Sequence, residues 1–266
     1  MKWLLAIGFV VATSAFKNAT VNNKLLPIDY HAFNLGEKLV YNIHYGFIDA
    51  GMAIFQVADT MHTVGGKPHF VCEAIGKSYG WWDNFYKVRD FYLSYVDSQS
   101  LYPSVYSRNI SEGDYKSLES YYFNRKKQLA IGQHDGEESR VKIPLNVHDL
   151  VSMIYYMRSF NYGSESIGKE IPLNVFFENE WFESSMEIVG EEEIKTNLGR
   201  FNCLKIVPKL VEGRVFSGQN SMTVYVTADK NHIPVRIESG IFVGSIKVDL
   251  EEYENLKFPL SSFIED

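Results

Sequence analysis

Two histidines flank a glycine pair in HTVGGKPH, residues 62 to 69. If Gly65-Gly66 makes a two-residue hairpin loop, where positive φ costs little, Val64 faces Lys67, Pro68 faces Thr63 and His62 faces His69. Cross-strand partners sit ~5 Å apart at Cβ, close enough to share a divalent ion. A metal site needs three or four ligands, and spacing names no third. His62 and His69 are therefore metal candidates that also read as two histidines near an exposed loop tip. His148-Asp149 opens a helical pattern, where an acidic residue favours the N-terminal dipole and capping explains the pair without catalysis. Cys72 and Cys203 each lie inside a strand-like run. An oxidising compartment would permit a disulfide between them, and two buried thiols acting as small hydrophobes fit as well. Gly76-Lys77-Ser78 has the tail of a phosphate loop, but Val71 stands where the first glycine belongs. No catalytic residue, metal or cofactor is assigned on these grounds, and the chain reads as a non-enzyme.

Chemistry of another kind is concentrated in YGWWDNFYKVRDFYLSY, residues 79 to 95, which carries eight aromatic rings. At ~150–250 Å² each, those rings amount to roughly 1,200–2,000 Å², more than a soluble monomer exposes in one patch. Trp81 with Phe85, and Trp82 with Tyr86, stand at helical i, i+4 spacing. Phe91, Leu93 and Tyr95 alternate as a strand whose face is expected in the core. A short helical turn feeding a barrel strand usually sits at a rim. Trp81, Trp82, Phe85 and Tyr86 are thus candidate ligand-binding residues; a plug closing the barrel end and an oligomer contact are the other readings.

The elements that position these residues are mostly strands. Leu39, Tyr41, Ile43, Tyr45 and Phe47 recur at every second position and predict one buried face. Ala53, Phe55 and Val57 follow in step, and further strands are predicted at 88–96, 105–110, 115–123, 128–132, 140–143, 172–179, 181–190 and 201–211. Met222 to Val226, Ile233 to Ile237 and Phe242 to Leu250 complete the series. Glu191-Glu192-Glu193 and Arg125-Lys126-Lys127 read as solvated hairpin tips. One helix interrupts the pattern near residues 147–160: Leu150, Val151, Met153, Ile154 and Met157 form its apolar face, with Asn146 as N-cap and Asp149 in the first turn. The expected fold is all-β with one internal helix, a large antiparallel barrel or strongly curled sheet packed around that helix.

Composition agrees with one globular body. The chain is 45% apolar and 15% aromatic, with a net charge of −7. An acidic chain with a single small basic cluster does not suit a nucleic-acid or anionic-membrane surface. The opening MKWLLAIGFVVATSA has a basic residue, an apolar run and small residues, the layout of a cleavable secretory signal over residues 1–15. Its apolar run falls short of the ~20 residues a bilayer span needs. No cysteine follows it to take a lipid anchor. A lead-in is expected over 16–35, a single β-rich domain over 36–256 and a tail over 257–266, with the product in the periplasm or secreted.

With those segments in view the chain resembles a family of exported bacterial proteins catalogued as domain of unknown function 3108. The likeness rests on GEKLVYNIHYGFIDAG (36–51), LYPSVYSRNISEGDY (101–115), HDLVSMIYYMRSF (148–160), GRFNCLKIVPKL (199–210) and VYVTADKNHIPVRIE (224–238), followed by VGSIKVDL (243–250). It implies an exported, mainly antiparallel β-protein and carries over no catalytic residue. The hairpin VTADKNHIPVRIE is also distantly similar to those of periplasmic lipoprotein carriers, half-barrels that hold acyl chains. The expectation is a periplasmic binding or carrier module whose concave side accepts a lipid or other amphiphilic envelope molecule. The alternative is a structural or assembly protein that meets an envelope protein through its aromatic rim or a sheet edge.

Overall fold

Alternation in a chain rich in Tyr, Phe, Val and Ile becomes strand over most of its length in the computed structural model. The structure describes residues 25, 27–162, 166–210, 222–240 and 244–265. The expected signal over 1–15 and part of the 16–35 lead-in lie outside those residues. In chain order the strands are β1 (Lys38–Tyr45), β2 (Ile48–Val57), β3 (His62–Val64), β4 (Lys67–Ser78), β5 (Arg89–Asp97), β6 (Pro103–Glu112), β7 (Tyr115–Asn124), β8 (Leu129–His134) and β9 (Glu137–Lys142). After β10 (Val147–Asp149) and helix α1 (Leu150–Met157) come β11 (Glu170–Phe177), β12 (Glu180–Thr196), β13 (Gly199–Leu210), β14 (Met222–Thr227), β15 (Pro234–Gly240), β16 (Ser245–Glu254) and β17 (Phe263–Ile264).

All belong to one sheet. Hydrogen-bonded neighbours run from β9 through β8, β7, β6, β5 and β4 to β2 and β1, then through β16, β15, β14, β13, β12 and β11 to β10. The short strands β3 and β17 hang on β4 and β13. Every one of these pairings is antiparallel except β10 with β11. Adjacent strands twist by roughly 20–25°, so a sheet this wide must curl. It curls until Phe176 of β11 meets Tyr121 and Phe123 of β7, at ring separations of 4.8 and 5.4 Å. The described strands do not close into a barrel; the result is a strongly curled open sheet around one helix.

The hairpin register at Gly65-Gly66 is as its spacing predicts, His62 facing His69 and Thr63 facing Pro68. Several other expectations give way to tertiary contacts. The helix begins at Leu150, because residues 147–149 pair with β11 and Asp149 is the N-cap. Asp149 Oδ1 accepts the Val151 and Ser152 amides at 2.9 Å, and the Ser152 hydroxyl accepts the Asp149 amide in return. Asn146 instead accepts from the Asn174 side chain. Glu191 to Glu193 are no hairpin tip: β12 continues to Thr196, and Glu192 and Glu193 pair across the ladder with Lys205 and Arg200. Arg125 does lie in the turn after β7, but its guanidinium donates inward to the carbonyls of Pro103, Leu145 and Val147.

Two faces also differ. Leu39, Tyr41 and Ile43 are buried, yet Phe47 is 99% exposed, since the register shifts after Ile43 and the hairpin tip leaves the core. On β5, Phe91, Leu93 and Tyr95 are only half-buried. Ser94 and Val96 take the inner face, Val96 within the main core and Ser94 donating to Asp149 Oδ2 at 2.7 Å. The segments expected as lead-in and tail both join the fold. Phe33 packs edge-on against Phe70 and Tyr155, and Phe263 pairs with Phe201.

Candidate functional site: an apolar hollow beside the helix

The helix has two apolar faces, one fully buried and one only partly covered. Val151 and Tyr155 are buried in the main core with Phe33, Phe70 and Met186. Leu150, Met153, Ile154 and Met157, at i, i+3, i+4 and i+7, stay half-exposed and line a cavity of about 260 Å³. The facing sheet contributes small residues where the helix approaches, Ala53, Ala74 and Gly76, and side walls that include Phe55, Tyr92 and Val224. Small residues opposite flexible Met side chains leave room that larger ones would fill.

The charged groups of the wall are neutralised. Arg158 lines the hollow and donates to both oxygens of Glu37, at 2.6 and 2.9 Å, and through Nε to the Asn231 carbonyl at 3.0 Å. Both partners are buried, and this bidentate pairing offsets their desolvation. His232 Nδ1 lies 3.0 Å from the Arg158 carbonyl, which fixes a proton on that nitrogen; burial lowers its pKa, so the ring stays neutral. Ser184 and Ser185 donate to the Lys209 carbonyl and to Glu170. Two lining tyrosines differ. Tyr41 and Tyr155 are buried to 1% exposure, and their phenol oxygens are enclosed with no hydrogen-bond partner among the described residues.

The aromatic candidates lie elsewhere. Trp81, Trp82, Phe85 and Tyr86 sit in the β4–β5 connection, around a single 3₁₀ turn at Trp82–Asn84. Trp81 and Phe85 are brought together as their spacing predicts, with rings 4.1 Å apart. They are 64% and 66% exposed, and none of the four lines the hollow. The loop is tied down by Arg89, which donates to both Asp83 oxygens at 2.8 and 2.9 Å. That pairing, with the Ser78 hydroxyl, holds the Asp83 carboxyl at about 2.

The histidine pair is adjacent in register but differs in role. His69 is buried, its Nδ1–H donating to the Lys67 carbonyl at 2.9 Å and its Nε2 accepting from Ser104 Oγ at 2.7 Å. Both nitrogens are thus engaged, while His62 is exposed and rests edge-on to Tyr95. Among the described residues no group of three His, Cys, Asp or Glu is placed to hold a metal. Cys72 and Cys203 are free, and they belong to separate clusters on different parts of the sheet, so no disulfide joins them. Burial raises both thiol pKa values, Cys203 to about 12, which makes them poor nucleophiles.

One pattern escapes a reading of Gly76-Lys77-Ser78 as a phosphate-loop tail. Gly76 to Gly80 also spells the G-x-S-x-G of a hydrolase nucleophile elbow. Here Ser78 is buried, its hydroxyl donating to Asp83 at 2.5 Å and accepting the Val88 amide at 2.8 Å, so it organises the loop. Residues of the hollow that local pattern did not single out include Tyr41 and Tyr155. Alternation marks Tyr41 as inward-facing, but no local signal tells a side chain deep in the core from one at the edge of a hollow.

No curated protein matches the chain. Among solved structures, a beta-barrel-like protein of the domain of unknown function DUF1849 from Brucella abortus aligns with a TM-score of 0.56 at 5% identity, covering 84% of this chain and 99% of its own. A Bacteroides fragilis protein described as exported, with a YmcC-like fold, aligns at 12% identity over 86% of this chain and 100% of its own, with a TM-score of 0.33. A Parabacteroides distasonis protein described as a lipoprotein aligns at 13% identity over 86% and 99%, with a TM-score of 0.32. The first likeness supports a barrel-like fold and nothing about activity. The resemblance carried by the strand and helix segments is borne out: a family of proteins of unknown function, DUF3108, matches residues 40–251, and this chain belongs to it.

Proposed function

We propose that the protein is a non-catalytic binding or carrier module that takes up the apolar part of an amphiphilic molecule of the cell envelope, after export. The observation that supports this is the partly covered helix stripe Leu150–Met153–Ile154–Met157 lining an apolar hollow inside the curled sheet. An amphipathic helix normally buries its apolar stripe fully against another element, and here the stripe stays half-exposed along the hollow. At about 260 Å³ the hollow falls just below the ~300–1,000 Å³ range of ligand pockets, a size for one aliphatic chain rather than a folded segment. Binding would be driven by apolar area removed from water at ~25 cal/mol/Å².

The test is displacement of a fluorescent apolar probe, 1-N-phenylnaphthylamine, from the purified protein, with native mass spectrometry of what co-purifies. Wild type binds the probe, and Ile154→Trp, which pushes an indole into the hollow without touching the main core, weakens it at least tenfold. Unchanged probe binding in Ile154→Trp would refute the assignment. A second reading is favoured by the exposed Trp81–Phe85 pair: contact with an envelope protein through that rim. Photocrosslinking from Trp82 in whole cells separates the two, since abundant protein adducts support the rim reading and their absence removes it.

A further inference from the structure

Two loops with exposed aromatic rings leave the curled sheet at the same end. There β2 and β4 pair as far as Gly51 with Ser78, and the Tyr79 amide donates to the Ala50 carbonyl at 3.4 Å. The β1–β2 tip, with Phe47, and the β4–β5 connection, with Trp81 and Phe85, thus start from adjacent strand ends. Hydrogen bonds fix one to the other. The Tyr79 hydroxyl donates to Asn42 Oδ1 at 2.7 Å, and the Asn42 amide donates to Asp49 at 2.6 Å. The connection is braced on its other flank as well. The Tyr86 ring lies so close over Gly113 of the β6–β7 turn that a Cβ there would sit 2.9 Å from it, and the Gly113 amide donates to the Lys87 carbonyl at 2.8 Å. With Arg89 holding Asp83, the loop keeps Trp81 and Phe85 in water instead of against the protein.

Phe47, Trp81 and Phe85 are 99, 64 and 66% exposed, which at ~150–250 Å² per aromatic side chain leaves roughly 350–570 Å² of ring surface in water. That is a large patch for a soluble monomer, yet it is below the ~800 Å² per partner that a stable protein interface buries. The neighbouring charges suit a different partner. Lys77 and Lys87, both exposed, bracket the aromatic turn, while Asp83 is engaged by Arg89 and Asp49 by Asn42. Asp114, on the adjoining β6–β7 turn, is exposed and acidic, which disfavours an anionic surface. Aromatic rings at the tip with lysines behind them match a phospholipid interface, where rings sit at headgroup level and lysine stems reach phosphates. We infer that this end of the sheet docks on a phospholipid bilayer with zwitterionic headgroups, placing Phe47, Trp81 and Phe85 in the interface. The hollow extends toward the same end: Gly76, Tyr92, Met222 and Ile237 of its lining stand near these strand ends, whereas Glu37, Arg158 and Asn231 are bonded together at the other. The docking itself does not require the hollow to bind anything.

The experiment is flotation of the purified protein with dioleoylphosphatidylcholine vesicles, repeated with acyl-chain-brominated lipid to quench tryptophan. Wild type is expected to float with the vesicles, and the brominated lipid should quench its fluorescence. Phe47→Ser and Trp81→Ser should each weaken partitioning about tenfold, since each withdraws one exposed ring from the interface. The Trp81→Ser/Phe85→Ser variant should remain in the soluble fraction. These side chains lie outside the core, so urea midpoints should be unchanged. Wild type that stays soluble, variants that float as well as wild type, or unquenched fluorescence would overturn the docking. So would a strong gain on adding phosphatidylglycerol, which would assign the contact to charge. A wild-type dimer that Phe47→Ser dissociates in sedimentation would overturn it too, by giving this end to a second copy. Binding of 1-N-phenylnaphthylamine without vesicles reports the hollow separately, so failure of the docking leaves the carrier reading standing.

Discussion

Two regions inside the same curled sheet are built from similar strands and end differently. Around α1, the sheet offers Ala53, Ala74 and Gly76 to a helix stripe of Leu, Met and Ile, and a hollow remains. Where β10 and β11 fold across β6 to β8, Tyr106, Tyr121, Phe123 and Phe176 interlock around Ala130, and the space is closed by rings. The closed region also swallows charge. Arg108 is buried against Glu119 at 3.0 Å, with Phe177 under its guanidinium at 4.5 Å and His134 donating to the same carboxylate at 2.7 Å. Side-chain volume at inward positions, rather than strand pattern, decides which part of a curled sheet is core and which is container.

The strongest way to break the comparison is to remove a charge from the closed region. Arg108→Met leaves Glu119 buried without its cation and is expected to cost about 3–5 kcal/mol in urea denaturation. A loss under about 1 kcal/mol would mean that water reaches this region and that it is not closed.

Next, the same kind of truncation should cost different amounts on the two sides. Phe176→Ala opens a void among packed rings and should lose about 3–5 kcal/mol. Met153→Ala trims a half-exposed side chain already facing space and should lose about 1 kcal/mol or less. Equal losses, read from the same denaturation curves, would show that the hollow is filled as tightly as the rest.

The smallest effect concerns pH. Asp90 is buried on β5 beside Glu112, and its carboxyl pKa is raised to about 7, by burial first and then by the neighbouring carboxylate, against the Ser111 amide bond that lowers it. A carboxyl with a raised folded-state pKa holds its proton when the unfolded chain has lost it. Its contribution is therefore favourable below about pH 4 and is lost as pH rises toward 7. Asp90→Asn should flatten that decline and add roughly 1–3 kcal/mol at pH 8 relative to wild type. A variant whose stability falls between pH 4 and 7 as steeply as wild type would show that Asp90 is not the titrating group.

Much of the architecture is legible along the chain because it is local. Glycine pairs set hairpins, and Gly65-Gly66 sets the His62–His69 register through loop geometry alone. The i, i+4 spacing of Trp81 and Phe85 foretells their ring contact, since one helical turn brings them together. Beyond such spacings local pattern is ambiguous. Period two on β5 offers two faces, and it cannot tell that Ser94 turns inward to reach Asp149 while Phe91 and Tyr95 look outward. Asp149 reads as a first-turn residue until β10 pairs with β11 and makes it the cap.

By itself, then, the order of residues determined a mostly antiparallel β-protein of the DUF3108 family with one internal helix, because alternation, turn glycines and helical spacing act over a few neighbours. Only the folded chain decided that the helix stripe lines a cavity and that Trp81 and Phe85 stand outside it. Those facts depend on how far the sheet curls and on which side chains, distant in sequence, compete for the same volume. A hollow is what packing leaves over, and no single segment encodes it.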